Sequence, residues 1–224
     1  MKKLKMLAVA LGAVVVTSSA LAVPTLVIWD TGGSSATAFG IGGVATYVNP
    51  SFDGAWSVAI STAETKPAVG SALSPLMDLN IQATSLGVSG RDLHVSWSDN
   101  AFGPVPGGVI SAQLTSHVVT GTGATVSYNT YYDAANGLST GGALAGSLYT
   151  TSGLLAPPIY TSMQIGAGIS SSAFGITQLL TITSVPGGSY SLDASLENIP
   201  DGGTTVMLFG AALSGLAFLR RKMA

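Results

Sequence analysis

Residues 189–198 read SYSLDASLEN. Tyr190, Leu192, Ala194 and Leu196 take every second position, and Ser191, Asp193, Ser195 and Glu197 fill the gaps. In an extended chain successive side chains point to opposite faces, so this order gives one apolar and one polar face. A helix would scatter both sets around its axis. The stretch therefore predicts a strand in an antiparallel sheet, with one face on a core and the other in water.

The same alternation recurs upstream. Met77, Leu79 and Ile81 interleave with Asp78, Asn80 and Gln82; Leu93, Val95 and Trp97 with His94, Ser96 and Ser98; Ile110, Ala112 and Leu114 with Ser111, Gln113 and Thr115. Weaker strand signals cover 26–29, 44–48, 56–61, 126–132, 160–165 and 176–183. Gly-rich joints at 103–108, 136–142 and 185–188 separate them. No body segment has a convincing helical period. About ten strands with one greasy face each predict two antiparallel sheets packed face to face.

Beyond Asn198 the pattern changes. Ile199-Pro200-Asp201-Gly202-Gly203 cannot extend a strand or helix, because Pro200 lacks an N–H and the two glycines favour turns. Val206 to Leu219 then gives fourteen residues without a charge, roughly 21 Å of helix. Thr204 and Thr205, with snorkelling Arg220, Arg221 and Lys222, bring it near a bilayer width. The cations should stay cytoplasmic, which places the body on the outer side.

Motif, short apolar run and terminal basic cluster together resemble the PEP-CTERM class of sorting signals, within it most closely the VPDSG type. By position Pro200 and Asp201 match the motif's core and Gly203 its last glycine, while Ile199 stands for Val and Gly202 for Ser. The resemblance covers about 26 of 224 residues. It implies recognition by an exosortase, an integral-membrane cysteine peptidase-like enzyme of exopolysaccharide-producing Gram-negative bacteria. The stretch 91–104, RDLHVSWSDNAFGP, is also similar to a recurrent body segment of such proteins.

The N-terminal end has a matching logic. Lys2, Lys3 and Lys5 precede an apolar stretch from Met6 to Val16, too short to span a bilayer. Ala20-Leu21-Ala22 is the small-x-small pattern that signal peptidase accepts, so cleavage after Ala22 would leave Val23 first. The expected organisation is all-β: an antiparallel β-sandwich over 23–198, flanked by a signal-peptide helix over 1–22 and a sorting segment with a short transmembrane helix over 199–224.

Charge narrows the partners. Charged residues are 8% of the chain, against about a quarter in typical domains. Between Val23 and Asn198 only Lys66 and Arg91 face nine acids, a net of −7. Nucleic acid is not an expected partner, because phosphate binding needs cations. The absence of cysteine removes disulfides, thiol nucleophiles and Zn–thiolate sites.

Catalytic constellations fare poorly. Gly137-Leu138-Ser139-Thr140-Gly141 matches G-x-S-x-G, but a Gly-broken stretch follows and no histidine lies downstream. His94 and His117, the only histidines, are expected on solvated strand faces, without the pairing a zinc site needs. Asp78 and Asp193 fall on polar faces, and Asp53, Asp92, Asp99 and Asp133 are expected in turns. No spacing selects a glycosidase pair. Asp99 and Asn100 offer oxygen ligands of the kind Ca²⁺ takes, without an EF-hand loop around them. Trp29, Trp56 and Trp97 are expected in the core.

The favoured reading is an exported, non-enzymatic surface or matrix protein without cofactor or metal. Its partners are signal peptidase, an exosortase, the membrane before processing, and exopolysaccharide. The alternatives are a carbohydrate-binding module using a hydroxyl-rich face and loop aromatics such as Tyr131 and Tyr132, and a surface hydrolase with a carboxylate pair.

Overall fold

The computed structural model describes residues 23–199 apart from 89, 104–108, 121–124, 134, 139–146, 155–159, 167–172 and 184. The expected signal-peptide and membrane helices, with Ala20, Ala22, Pro200 to Gly203 and Arg220 to Lys222, lie outside these residues. Among the described residues no helix is long and apolar enough to cross a membrane.

Twelve strands form two antiparallel six-stranded sheets. Sheet A has the order β2 (Ser35–Phe39), β1 (Thr25–Asp30), β6 (Leu93–Phe102), β11 (Phe174–Ile182), β8 (Thr125–Asp133) and β9 (Ser147–Leu154). Sheet B runs β10 (Tyr160–Gly166), β7 (Val109–Thr120), β12 (Ser189–Ile199), β5 (Leu76–Ser85), β4 (Trp56–Glu64) and β3 (Val44–Phe52). The all-β sandwich is as expected, with two more strands. Both additional strands, β2 and β9, are edges of sheet A.

The strand that opens the sequence reading is central in sheet B. β12 pairs β5 with Ala194 opposite Leu79 and β7 with Ala194 opposite Leu114. Its apolar set, Tyr190, Leu192, Ala194 and Leu196, is buried. These side chains join Met77, Leu79 and Ile81 of β5 and meet Leu26, Ile28, Leu93, Val95 and Trp97 of sheet A in one core. Burying one such side chain contributes about 1.5–3 kcal/mol.

Hydrogen bonds also cross the core. The Trp97 indole donates to the Glu64 carbonyl at 3.1 Å, the Gln178 amide to the Met77 carbonyl at 3.1 Å, and the Tyr128 hydroxyl to the Ser195 carbonyl at 3.2 Å. Each satisfies a polar group that would be costly to bury alone and fixes the position of one sheet on the other.

The chain enters and leaves at one end of this sandwich. Antiparallel pairing puts Thr25, the start of β1, opposite Ser98 near the finish of β6, and Glu197 of β12 opposite Leu76, the start of β5. Backbone bonds tie that end together: Gly103 N–H to the Ala72 carbonyl at 2.6 Å, Gly40 N–H to Pro24 at 2.7 Å, and Thr65 N–H to Gly43 at 2.8 Å. Ile199, which opens the sorting motif, is still in β12, paired with Val109.

Candidate functional site

Alternation decides what the sheets present outward. In β1, Leu26 and Ile28 point into the core, so Thr25, Val27 and Trp29 belong to the outer face. Trp29 is therefore not a core residue, unlike the fully buried Trp56 and Trp97. Its indole lies flat on the His94 ring, 4.9 Å between centroids and 9° between planes. His94 Nδ1 sits 3.0 Å from the Thr181 hydroxyl. The expected solvated histidine is instead half-buried in a stack, and burial pushes its pKa down against the opposing pull of Asp92 and Asp30.

Beside that stack runs an open trough of about 490 Å³. Trp29, Phe39, Thr25, Thr37 and Ser35 line it, because the register sets Thr25 against Phe39 and Trp29 against Ser35. Aromatic faces next to hydroxyl groups suit a flat, hydroxylated ligand. The tyrosines named from sequence are placed differently. Tyr131 and Tyr132 lie within β8 and not in a loop, and Tyr132 packs on Phe174 at 5.2 Å between rings.

A second cavity, about 480 Å³, opens at the end where the chain enters and leaves. Pro24, Gly40, Gly43, Ser71 and Ala101 line it, with the Lys66–Asp99 ion pair in its wall. Asp99 is a buried residue of β6, not a turn residue. Its Oδ2 accepts from Thr65 Oγ1 and Lys66 Nζ, and its Oδ1 from the Asn100 N–H. A carboxylate already neutralised by an ammonium is a poor calcium ligand, which removes the Asp99–Asn100 site.

Asp53 and Asp133 have structural partners. Asp53 lies in the β3–β4 turn, where Arg91 bridges it to Asp30. Asp92 precedes β6, and its N–H donates to Thr31 Oγ1. Asp133 ends β8 and accepts from the N–H groups of Ala135 and Gly137, both at 2.8 Å. That turn absorbs the first glycine of the G-x-S-x-G match, whose Ser139 to Gly141 lie outside the described residues. His117 is exposed, as expected.

One acidic pair is invisible in the sequence but present in the fold. Asp78 of β5 and Asp193 of β12 are diagonal neighbours on adjacent strands. The Asp78 pKa rises to about 6, mainly from burial, then from the charge and hydrogen bond of Asp193 and the charge of Glu64. The two stand on the outer face of sheet B, and neither lines the trough or the end cavity. Among the described residues no group of His, Asp and Glu is arranged to hold a metal ion.

No curated protein matches the sequence significantly. Solved structures give faint likenesses. The enzymatically active domain of tailspike protein 4 from bacteriophage CBA120 shares 9% identity and a TM-score of 0.37, over 70% of this chain and 22% of that one. The TmCBM61 structure in complex with β-1,4-galactotriose shares 12%, at TM-score 0.33, over 68% and 97%. The K1 cleaved adhesin domain of Lys-gingipain from Porphyromonas gingivalis W83 shares 13%, at 0.34, over 70% and 99%. This chain thus spans about a fifth of the tailspike domain. Likeness at this level carries no function across. The specific match is at the other end of the chain, immediately where β12 finishes: the sequence carries a VPDSG-CTERM motif at residues 199–223.

Proposed function

We propose that this is an exported surface or matrix protein without catalytic activity, tethered by residues 199–224 and then cut by an exosortase near Pro200–Gly203. The observation that carries this reading is the junction itself. The motif begins at the last residue of β12, a central strand of the sandwich. The processing enzyme would meet a short extended segment bounded on one side by folded sheet and on the other by lipid. Signal peptidase is the second processing partner, cutting after Ala22. Intact mass of the protein recovered from the cell exterior tests both cuts. A chain of unchanged mass and location in cells lacking the exosortase would overturn the sorting role.

A second reading has its own observation. The Trp29–His94 stack and Phe39 flank a hydroxyl-lined trough on sheet A, which fits a saccharide of the surrounding exopolysaccharide better than the tyrosines of β8 do. A glycan array in which Trp29→Ala and the parent bind equally poorly would remove it.

A further inference from the structure

Four large apolar side chains are left in water around the end cavity: Ile41 is 87% exposed, Leu73 67%, Phe39 63% and Val23 50%. Val23, Phe39 and Ile41 form one group, and Leu73 borders the same cavity through its neighbour Ala72. Gly40, between Phe39 and Ile41, bonds to Pro24 beside Val23, and Ala72, beside Leu73, bonds to Gly103. Soluble domains seldom expose a grouped apolar rim of this kind without a partner.

The course of the chain says what the partner is. β12 leaves the sandwich at this same end, and only six residues separate Ile199 from Val206, where the uncharged run begins. Fully extended, six residues span about 20 Å. The tether is thus shorter than the sandwich is tall, since the ten-residue β5 alone measures about 33 Å. A domain held so closely cannot turn its far end to the bilayer.

We infer that this end rests on the membrane, with Phe39, Ile41, Leu73 and Val23 seated in the outer lipid interface while the chain is tethered. The inference rests on the tether proposed above. Among the described residues Lys66, paired with Asp99, is the one cationic side chain near the rim, and Arg91 is engaged at the opposite end; cleavage after Ala22 adds the ammonium of Val23. In the uncleaved chain, contact therefore depends on apolar burial at the headgroup boundary and not on attraction to anionic lipid. Seating also fixes the height at which Pro200–Gly203 is offered to a membrane-embedded peptidase.

The protein has no cysteine, so single reporters are simple to place. Full-length chains carrying Phe39→Cys, Ile41→Cys, Leu73→Cys or, as the far-end reference, Leu86→Cys are labelled with a fluorophore. They are then reconstituted in phosphatidylcholine vesicles containing nitroxide-labelled phosphatidylcholine. Labels at 39, 41 and 73 are expected to be quenched at least about twofold more than at 86, since interfacial apolar groups sit about 5–10 Å inside the headgroup boundary. Added salt should leave the quenching unchanged. Equal quenching at all four positions in chains that float with the vesicles would overturn the inference and leave the tether standing. Protection of the three positions only when exosortase is present would assign the rim to that protein and not to lipid. Chains that fail to float would sink the tether and the inference together.

Discussion

Lys66 Nζ lies 2.7 Å from Asp99 Oδ2, the two side chains only 12% and 2% exposed. The ammonium also sits 4.0 Å above the Phe102 ring. This pair joins the segment after β4, in sheet B, to β6 in sheet A, so it acts as a pin between the two layers. Removing one member of a buried pair strands the other charge and costs about 3–5 kcal/mol. Lys66→Met is therefore expected to lower stability by about 3 kcal/mol, read from urea unfolding followed by tryptophan fluorescence. Adding Asp99→Leu to that variant should recover part of the loss, leaving only the donors of Thr65 and Asn100 unmet. A Lys66→Met protein as stable as the parent would mean that water already screens the pair.

Asp78 gives a pH dependence of definite sign. Its carboxyl titrates near 6 in the fold against 3.8 as a free side chain, because burial and the neighbouring Asp193 and Glu64 oppose its charge. The folded state therefore holds this proton more tightly than the unfolded chain. Its contribution is full below pH 3.8 and is lost as pH rises through 6. Asp78→Asn should stabilise the protein at pH 8 by about 1 kcal/mol, allowing for solvent screening of a half-exposed group. It should gain nothing at pH 4. Urea midpoints at the two values check this, and equal gains at both would contradict it.

His94 works in the opposite direction. Burial lowers its pKa below the ordinary 6.5, so the unfolded chain takes the proton more readily than the fold. Its contribution is full above pH 6.5 and declines as pH falls through the lowered folded value. His94→Phe keeps an aromatic ring on Trp29 while removing the titrating group and its contact with Thr181. The variant should lose less stability than the parent between pH 7 and 5. An unchanged slope would place the acid sensitivity elsewhere.

The sequence was most legible where the polar–apolar alternation was undisturbed. β5, β6 and β12 follow from it directly, down to the inward set Leu93, Val95 and Trp97. It failed on β2 and β9 for one physical reason. Both are sheet edges, and an edge strand needs no buried face: β2 offers only Ala36 and Ala38 to the core, half-buried. Trp29 suits a core by residue type, but Leu26 and Ile28, both fully buried, fix the parity of β1 and turn it outward. Asp99 shares the inward parity of Trp97, but its charge argued for a turn. Only the fold shows that Lys66, thirty-three residues earlier, compensates it. The trough, the end cavity and the Asp78–Asp193 pair are products of register between strands distant in sequence, and local pattern carries no such information.

The junction at Ile199 leads to the last prediction. The next residue in sequence, Pro200, has no N–H to donate to a ladder. Replacing it with a strand-former should let the ladder creep into the motif and withdraw the scissile segment from a membrane-embedded enzyme. Pro200→Val is thus expected to fold normally, since it lies beyond the buried set Tyr190, Leu192, Ala194 and Leu196 of β12, yet to accumulate as the uncut, membrane-bound chain. Asp201→Ala, which leaves Pro200 in place, tests recognition separately. Intact mass and membrane fractionation distinguish the two steps. If Pro200→Val were released at the parent's rate, accessibility at this joint would not govern processing. If Asp201→Ala also were, the cut would lie outside residues 199–203.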